Sequence, residues 1–203
     1  MFFSSNRGPA KRMAASLIGA IAMVTMLSAC VANDPLAEQF RSGDNKNYIA
    51  GDGSVTEFAE ANRKAPNPWS GITESGQQIS SDQLKGVPQL INFWYAGCAP
   101  CRAEAPDLVD LAKQFEGKIQ FVGVNVRDTA ATALAFDRNF EITWPSVIDA
   151  QTGSVVLAFT GIVTPQAVPT TLVLDKSGKV SARILGRIDK GILKSLIQSA
   201  VGE

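Results

Sequence analysis

The residues best placed to do chemistry are Cys98 and Cys101, set three residues apart in Phe93-Trp94-Tyr95-Ala96-Gly97-Cys98-Ala99-Pro100-Cys101-Arg102. At the start of a helix this spacing puts both sulfurs on one face, where they can alternate between dithiol and disulfide with little backbone movement. Cys98 is the expected nucleophile, because the unpaired amides and the dipole at a helix N-terminus favour its thiolate. A thiol of ordinary pKa ~8.5 is only about 3% ionised at pH 7, and a pKa of ~7 raises that population more than about tenfold. Cys101, one turn further in, is then the resolving thiol, shielded until Cys98 has formed a mixed disulfide and able to attack it afterwards. Pro100 falls in the first helical turn, where its missing N–H costs little and its ring stiffens the loop between the sulfurs.

Two plainer readings of the pair stand beside this one. A static disulfide is allowed, although a ring this short removes little unfolded-chain entropy. A metal half-site would need more ligands, and the chain has three cysteines in all and no histidine. No metal site is therefore expected, and no cofactor beyond a redox-active Cys98–Cys101 disulfide. The missing histidines also remove the commonest general base, leaving thiols, carboxylates and amines. With 203 residues, 45% of them hydrophobic and 19% charged, the chain suits one globular core with tails.

The third cysteine has its own context. Arg7, Lys11 and Arg12 precede an apolar, uncharged run from Met13 to Ser28, the n-region and h-region of an export signal. The run is short against the ~20 residues that span a bilayer. It closes on Leu27-Ser28-Ala29-Cys30, which resembles the lipobox of bacterial lipoproteins. That resemblance implies a signal peptide over 1–29, a diacylated Cys30 as first mature residue, and lipid anchoring at the extracytoplasmic face of the cell membrane. Three of the 19 basic residues and none of the 19 acidic ones precede Cys30, so the mature product is mildly acidic and nucleic acid is not an expected partner.

The elements that must position the dithiol can be read around it. Residues 30–65 are poor in apolar residues and read as a flexible tether, with the folded domain over 66–203. Trp69–Thr73 and Gln77–Ile79, flanking Glu74-Ser75-Gly76, read as an edge hairpin. Val87–Trp94 has the apolar run of a buried strand, and the pattern turns helical from Cys98 to Gly117, with Pro106 inside. Ile119–Val126 reads as a second core strand, and Asp128 as the cap of an alanine-rich helix reaching Phe140. Strand, helix, strand, helix in that order implies a parallel pair. Thr170–Leu174 and Lys179–Leu185 form a hairpin pattern, followed by a helix from Asp189 with Ile192, Leu193, Leu196, Ile197 and Ala200 on one face.

The segment from Phe93 through Glu104 to Pro106, together with Val168-Pro169-Thr170-Thr171-Leu172-Val173-Leu174-Asp175, resembles the TlpA/ResA-like branch of the thioredoxin superfamily over roughly residues 66–200. The resemblance implies an α/β fold, a thioredoxin-like three-layer sandwich with a mixed central sheet flanked by helices. It also implies an extracytoplasmic thiol-disulfide oxidoreductase, in the reductase direction, acting on protein disulfides. Apocytochrome c is one such substrate, and a membrane electron donor would restore the dithiol. Pro169 is the family's cis-proline facing the active disulfide, with Val168 offering backbone contacts to substrate. Glu104 matches an acid that takes part in proton handling, against the plainer reading of an acid near a helix start. Trp94, Gly97 and Pro100 complete the expected substrate-binding surface, with core packing as the plainer reading of Trp94. Gly97 departs from the family, whose members commonly carry tryptophan before the first cysteine. Two other functions fit the fold class. A peroxiredoxin-like peroxidase would want Thr or Ser three residues before its cysteine, where this chain has Tyr95. A non-catalytic lipid-anchored binding module would need neither thiol. Replacing Cys30→Ser is expected to abolish incorporation of labelled lipid; undiminished labelling would rule out the anchor.

Overall fold

A computed structural model describes residues 55–162 and 167–202. The signal segment, Cys30 and most of the expected tether lie outside the described residues. Eight strands and four α-helices follow in chain order among those described: β1 Val55–Glu57, β2 Ser70–Ile72, β3 Gln78–Ser80, β4 Gln89–Trp94, α1 Ala99–Gln114, β5 Gln120–Asn125, α2 Ala130–Phe140, β6 Ser146–Ile148, α3 Ser154–Ala158, β7 Thr170–Leu174, β8 Val180–Leu185 and α4 Lys190–Val201. Six strands form one mixed sheet in the order β1-β8-β7-β4-β5-β6. β4 pairs parallel with β5 and antiparallel with β7, and β5 pairs parallel with β6. The expected parallel pair is thus β4–β5, joined through α1.

The sheet is covered on both faces, which is why β4 is buried at every position. On one face Leu90, Phe121, Val173 and Ile184 pack with Leu108, Leu111 and Phe115 of α1 and Leu193, Leu196 and Ile197 of α4. On the other, Ile91, Phe93, Val122, Val124 and Leu172 pack with Trp69 and with Val155, Ala158 and Phe159 around α3. Side-chain alternation along β4 therefore sends Asn92 and Trp94 to the α1 face.

Three sequence expectations need correcting. The tether does not run to residue 65: Val55–Glu57 pairs antiparallel with Ala182–Ile184 at the sheet edge, and Val55 is buried. The folded chain therefore begins at least eleven residues before Pro66. The helix after β5 is capped by the Thr129 side chain, which accepts the Thr132 N–H, and not by Asp128. Ile192 is exposed rather than part of the buried face of α4, and the helix expected from Asp189 begins at Lys190 with Asp189 as its cap. The expected hairpin is present as β2–β3, a separate two-stranded sheet bridged to the β6 edge at Thr73–Val147.

One close approach sits directly under the site. Trp94 Nε1 donates to Ser146 Oγ at 3.2 Å across β5, and it does so over Gly123, where a Cβ would overlap Ser146 Oγ and come within 2.8 Å of Trp94 Nε1. Only a residue without a side chain leaves room for that bond. Gly123→Ala is expected to lower unfolding stability by about 1–3 kcal/mol, with a changed Trp94 fluorescence, measured by urea titration.

Candidate active site

Cys98 and Cys101 are joined as a disulfide, with Cα atoms 5.2 Å apart, where β4 passes into α1. Cys98 is the N-cap residue and Cys101 lies in the first helical turn. The Cys101 N–H points at Cys98 Sγ, 3.2 Å away. In the reduced protein the same amide would stabilise a Cys98 thiolate, which is the helix-terminus effect expected from the spacing. Pro100 occupies the first turn and is exposed. α1 continues through Pro106, whose missing N–H leaves the Arg102 carbonyl without its helical partner.

The loop before the helix is held by a group that sequence reasoning assigned elsewhere. Asp128 Oδ2 accepts the Ala96 N–H at 2.6 Å and Asn125 Nδ2 at 2.8 Å. Asn125 Oδ1 in turn accepts the Arg127 and Asp128 amides. Asp128 is therefore a clamp from the end of β5 onto the active-site loop, not a helix cap. Arg127 lies over the Tyr95 ring and Arg102 over the Phe140 ring, with cation-to-centroid distances of 4.3 and 5.2 Å. Gly97 is exposed, and a Cβ there would meet only the Tyr95 ring at ordinary contact distance. A larger residue is sterically allowed at this position.

The Val168–Pro169 peptide bond is cis, as expected from the motif. Pro169 precedes β7, whose first residue pairs with Phe93 near the C-terminal end of β4. The Pro169 carbonyl accepts the Gly186 N–H. Val168 packs against the cluster formed by Trp94, Cys98, Cys101, Ala105, Ala133 and Phe136, so the cis segment and the dithiol share one patch. Trp94 does not belong to its surface: it is 5% exposed and tilted against Phe136 with centroids 4.4 Å apart. Its expected place among substrate contacts is corrected to core, because its indole N–H is bound inward by Ser146.

Glu104 is fully buried beneath the dithiol helix. Its Oε1 accepts Asn92 Nδ2 at 3.0 Å, and its Oε2 accepts the Ile188 N–H at 3.0 Å. Asn92 also donates to Thr171 Oγ1 on β7. Asn92 carries a signal that sequence reading passed over: a polar side chain in the middle of an apolar strand needs a buried partner. Burial is the main cause that pushes the Glu104 carboxyl from its ordinary 4.5 up to about 7; the Ile188 and Asn92 hydrogen bonds and the Arg187 charge oppose it.

With this geometry in view, comparison with known proteins is specific. Residues 61–183 match the model of the AhpC/TSA family. The chain belongs to the AhpC/TSA family. Within it, the thiol-disulfide oxidoreductase ResA of Bacillus cereus is 27% identical over 144 residues, covering 70% of this chain and 79% of the relative. The thioredoxin-like protein YneN of Bacillus subtilis is 30% identical over 121 residues, covering 58% and 68%. Among solved structures, a DsbF homologue from Corynebacterium diphtheriae superimposes with a TM-score of 0.67 at 29% identity, over 76% of this chain and 99% of the other. A secreted thiol-disulfide isomerase from Corynebacterium glutamicum does so with a TM-score of 0.68 at 26% identity, over 78% and 98%. This member of the family has the thioredoxin-like fold and is an enzyme of thiol-disulfide exchange, of ResA/DsbE type.

The raised Glu104 pKa has a consequence for stability. The unfolded chain releases this proton near 4.5 and the folded chain near 7. The folded state therefore holds more protons within that window, and stability is lost as pH rises through it, by an amount on the order of 3 kcal/mol in full. Urea unfolding between those two pH values should show this loss, and Glu104→Gln should flatten it by a comparable amount.

Proposed function

We propose that this protein works outside the cytoplasm as a reductase of protein disulfides, with Cys98 as nucleophile and Cys101 as resolving thiol. The observation that carries the reading is the orientation of the Cys101 amide toward Cys98 Sγ at the helix start, which favours the thiolate of Cys98 over that of Cys101. Cys98 attacks a substrate disulfide and forms a mixed disulfide, releasing one substrate thiolate. Cys101 then attacks Cys98 Sγ, closes the Cys98–Cys101 bond and expels the second thiolate. The substrate gains two electrons and the dithiol loses them. No further cofactor is needed for that exchange.

Substrate would lie along Val168–Pro169. Among the described residues neither the N–H nor the C=O of Val168 has a hydrogen-bond partner, so both suit an extended peptide laid beside the disulfide. Gly97 and Pro100 are exposed on either side of Cys98 and complete the proposed contact surface, where the small Gly97 leaves room for a bulky partner. The lipobox-like Leu27-Ser28-Ala29-Cys30 and the secreted neighbour from Corynebacterium glutamicum support an extracytoplasmic, Cys30-anchored enzyme. No helix among the described residues is long and apolar enough to cross a membrane. A reductase so located needs a membrane electron donor to restore its dithiol, and apocytochrome c is one substrate that fits by family resemblance. Tyr95, three residues before Cys98, speaks against peroxide reduction.

Trapping tests the reading. A Cys101→Ser variant should accumulate substrates as mixed disulfides on Cys98, resolved on non-reducing gels and lost on adding dithiothreitol. Capture of no protein, with Cys98 free and reactive, would overturn it.

A further inference from the structure

Cys101 lines a cavity that the exchange chemistry above leaves unexplained. Asn92, Trp94, Cys101, Phe136, Asp137 and Ser146 are among its lining residues, and its volume is about 20 Å³, enough for a single water molecule. Asp137, on α2, is the only titratable side chain besides Cys101 among the described residues that line it. Its Oδ1 is sealed from solvent and has no hydrogen-bond partner. Asp137 also lines a second, open groove, together with Glu74, Arg138 and Glu141. Asp137 therefore borders both the chamber at Cys101 and the open groove. Glu104 is placed differently: both its oxygens are bound, by Asn92 and Ile188, and it is not among the lining residues.

We propose that Asp137 accepts the Cys101 proton during resolution, directly or through one water in the cavity, and passes it to solvent by way of the open groove. The inference rests on the reading of Cys101 as resolving thiol. The step balances as follows. The Cys101 thiol gives its proton to the Asp137 carboxylate, its sulfur bonds to Cys98 Sγ, and the bond from Cys98 to the substrate sulfur breaks to release substrate thiolate. The two cysteines are oxidised, the substrate is reduced, and Asp137 then loses its proton to the groove.

The electrostatics suit this role. Burial is the main cause that pushes Asp137 from its ordinary 3.8 up to about 7; the Glu74 charge, from the turn of the β2–β3 hairpin, adds to it and Arg138 opposes it. Glu74 itself accepts the Ser146 N–H at 2.6 Å, which fixes it close to the groove. Glu141, at the end of α2, is the remaining charged group lining that groove. A carboxyl that titrates near neutrality can both take and release a proton at working pH.

The test uses the reduced full-length chain mixed with one equivalent of dithiobis(nitrobenzoate). Attack by Cys98 releases the first coloured thiolate, and resolution by Cys101 releases the second. Relative to the first release, Asp137→Asn should slow the second by about a hundredfold at a pH of ~7.5. The difference should close at a pH of ~5.5, where the native carboxyl is already protonated and cannot accept. Asp137→Ser, smaller and still polar, should repeat the pattern. Equal second releases in native and variant proteins at both pH values would overturn the proposal. So would a slowing of the same size at both, the mark of altered packing. Either result leaves Cys101 as resolver. A native protein without a second release, or a Cys101→Ser variant that retains one, would overturn both readings.

Discussion

A buried carboxyl group under the dithiol helix is the constraint on which the rest of the site depends. Glu104 joins α1 to β4 through Asn92 and to the segment before α4 through the Ile188 amide, and Asn92 extends the connection to Thr171 on β7. Four separate parts of the chain thus meet at one polar point inside an apolar core. Burying such a group is costly unless its hydrogen bonds are made, so the four parts have little freedom to shift independently. The cysteine pair sits on the helix pinned by this network, at the C-terminal end of the central strand.

Around that point the site is asymmetric. On the outer side, Asp128 fixes the loop through the Ala96 amide, and the cis Val168–Pro169 segment shares the patch with the sulfurs. On the inner side, Trp94, Phe136 and Ser146 form a packed wall around a chamber that reaches Cys101. Both cysteines are buried to the same degree, so what distinguishes the two thiols is their neighbours: Cys98 receives the Cys101 amide at the helix start, and Cys101 borders the chamber.

Glycine contributes at two points with opposite meaning. Gly123 is required by packing, because the Trp94–Ser146 bond crosses the space a side chain would fill. Gly97 is required by neither packing nor backbone conformation, since its neighbourhood admits a side chain. It is exposed beside Cys98, so a side chain there would change the surface next to that cysteine without disturbing the core.

Much of the fold was legible in local patterns. The two core strands, the dithiol helix, the hairpin at Thr170–Leu185 and the last helix from Asp189 all follow from periodicity and turn chemistry, which act over neighbouring residues. β1, β6 and α3 were not seen, because three to five residues are too few to show a period and β1 owes its existence to pairing with β8 more than a hundred residues away. Asp128 was assigned to the wrong partner for a related reason: its position beside a helix suits a cap, and only the folded chain brings Ala96 within reach. The sequence by itself determined which residues are redox-competent, that the first cysteine stands at a helix start, and that a proline motif accompanies it. Only the tertiary structure decided that Trp94 turns inward, that Glu104 is held by Asn92 and Ile188, and that Asp137 borders the chamber at Cys101. Those facts depend on contacts between segments far apart in the chain, and no local propensity records them.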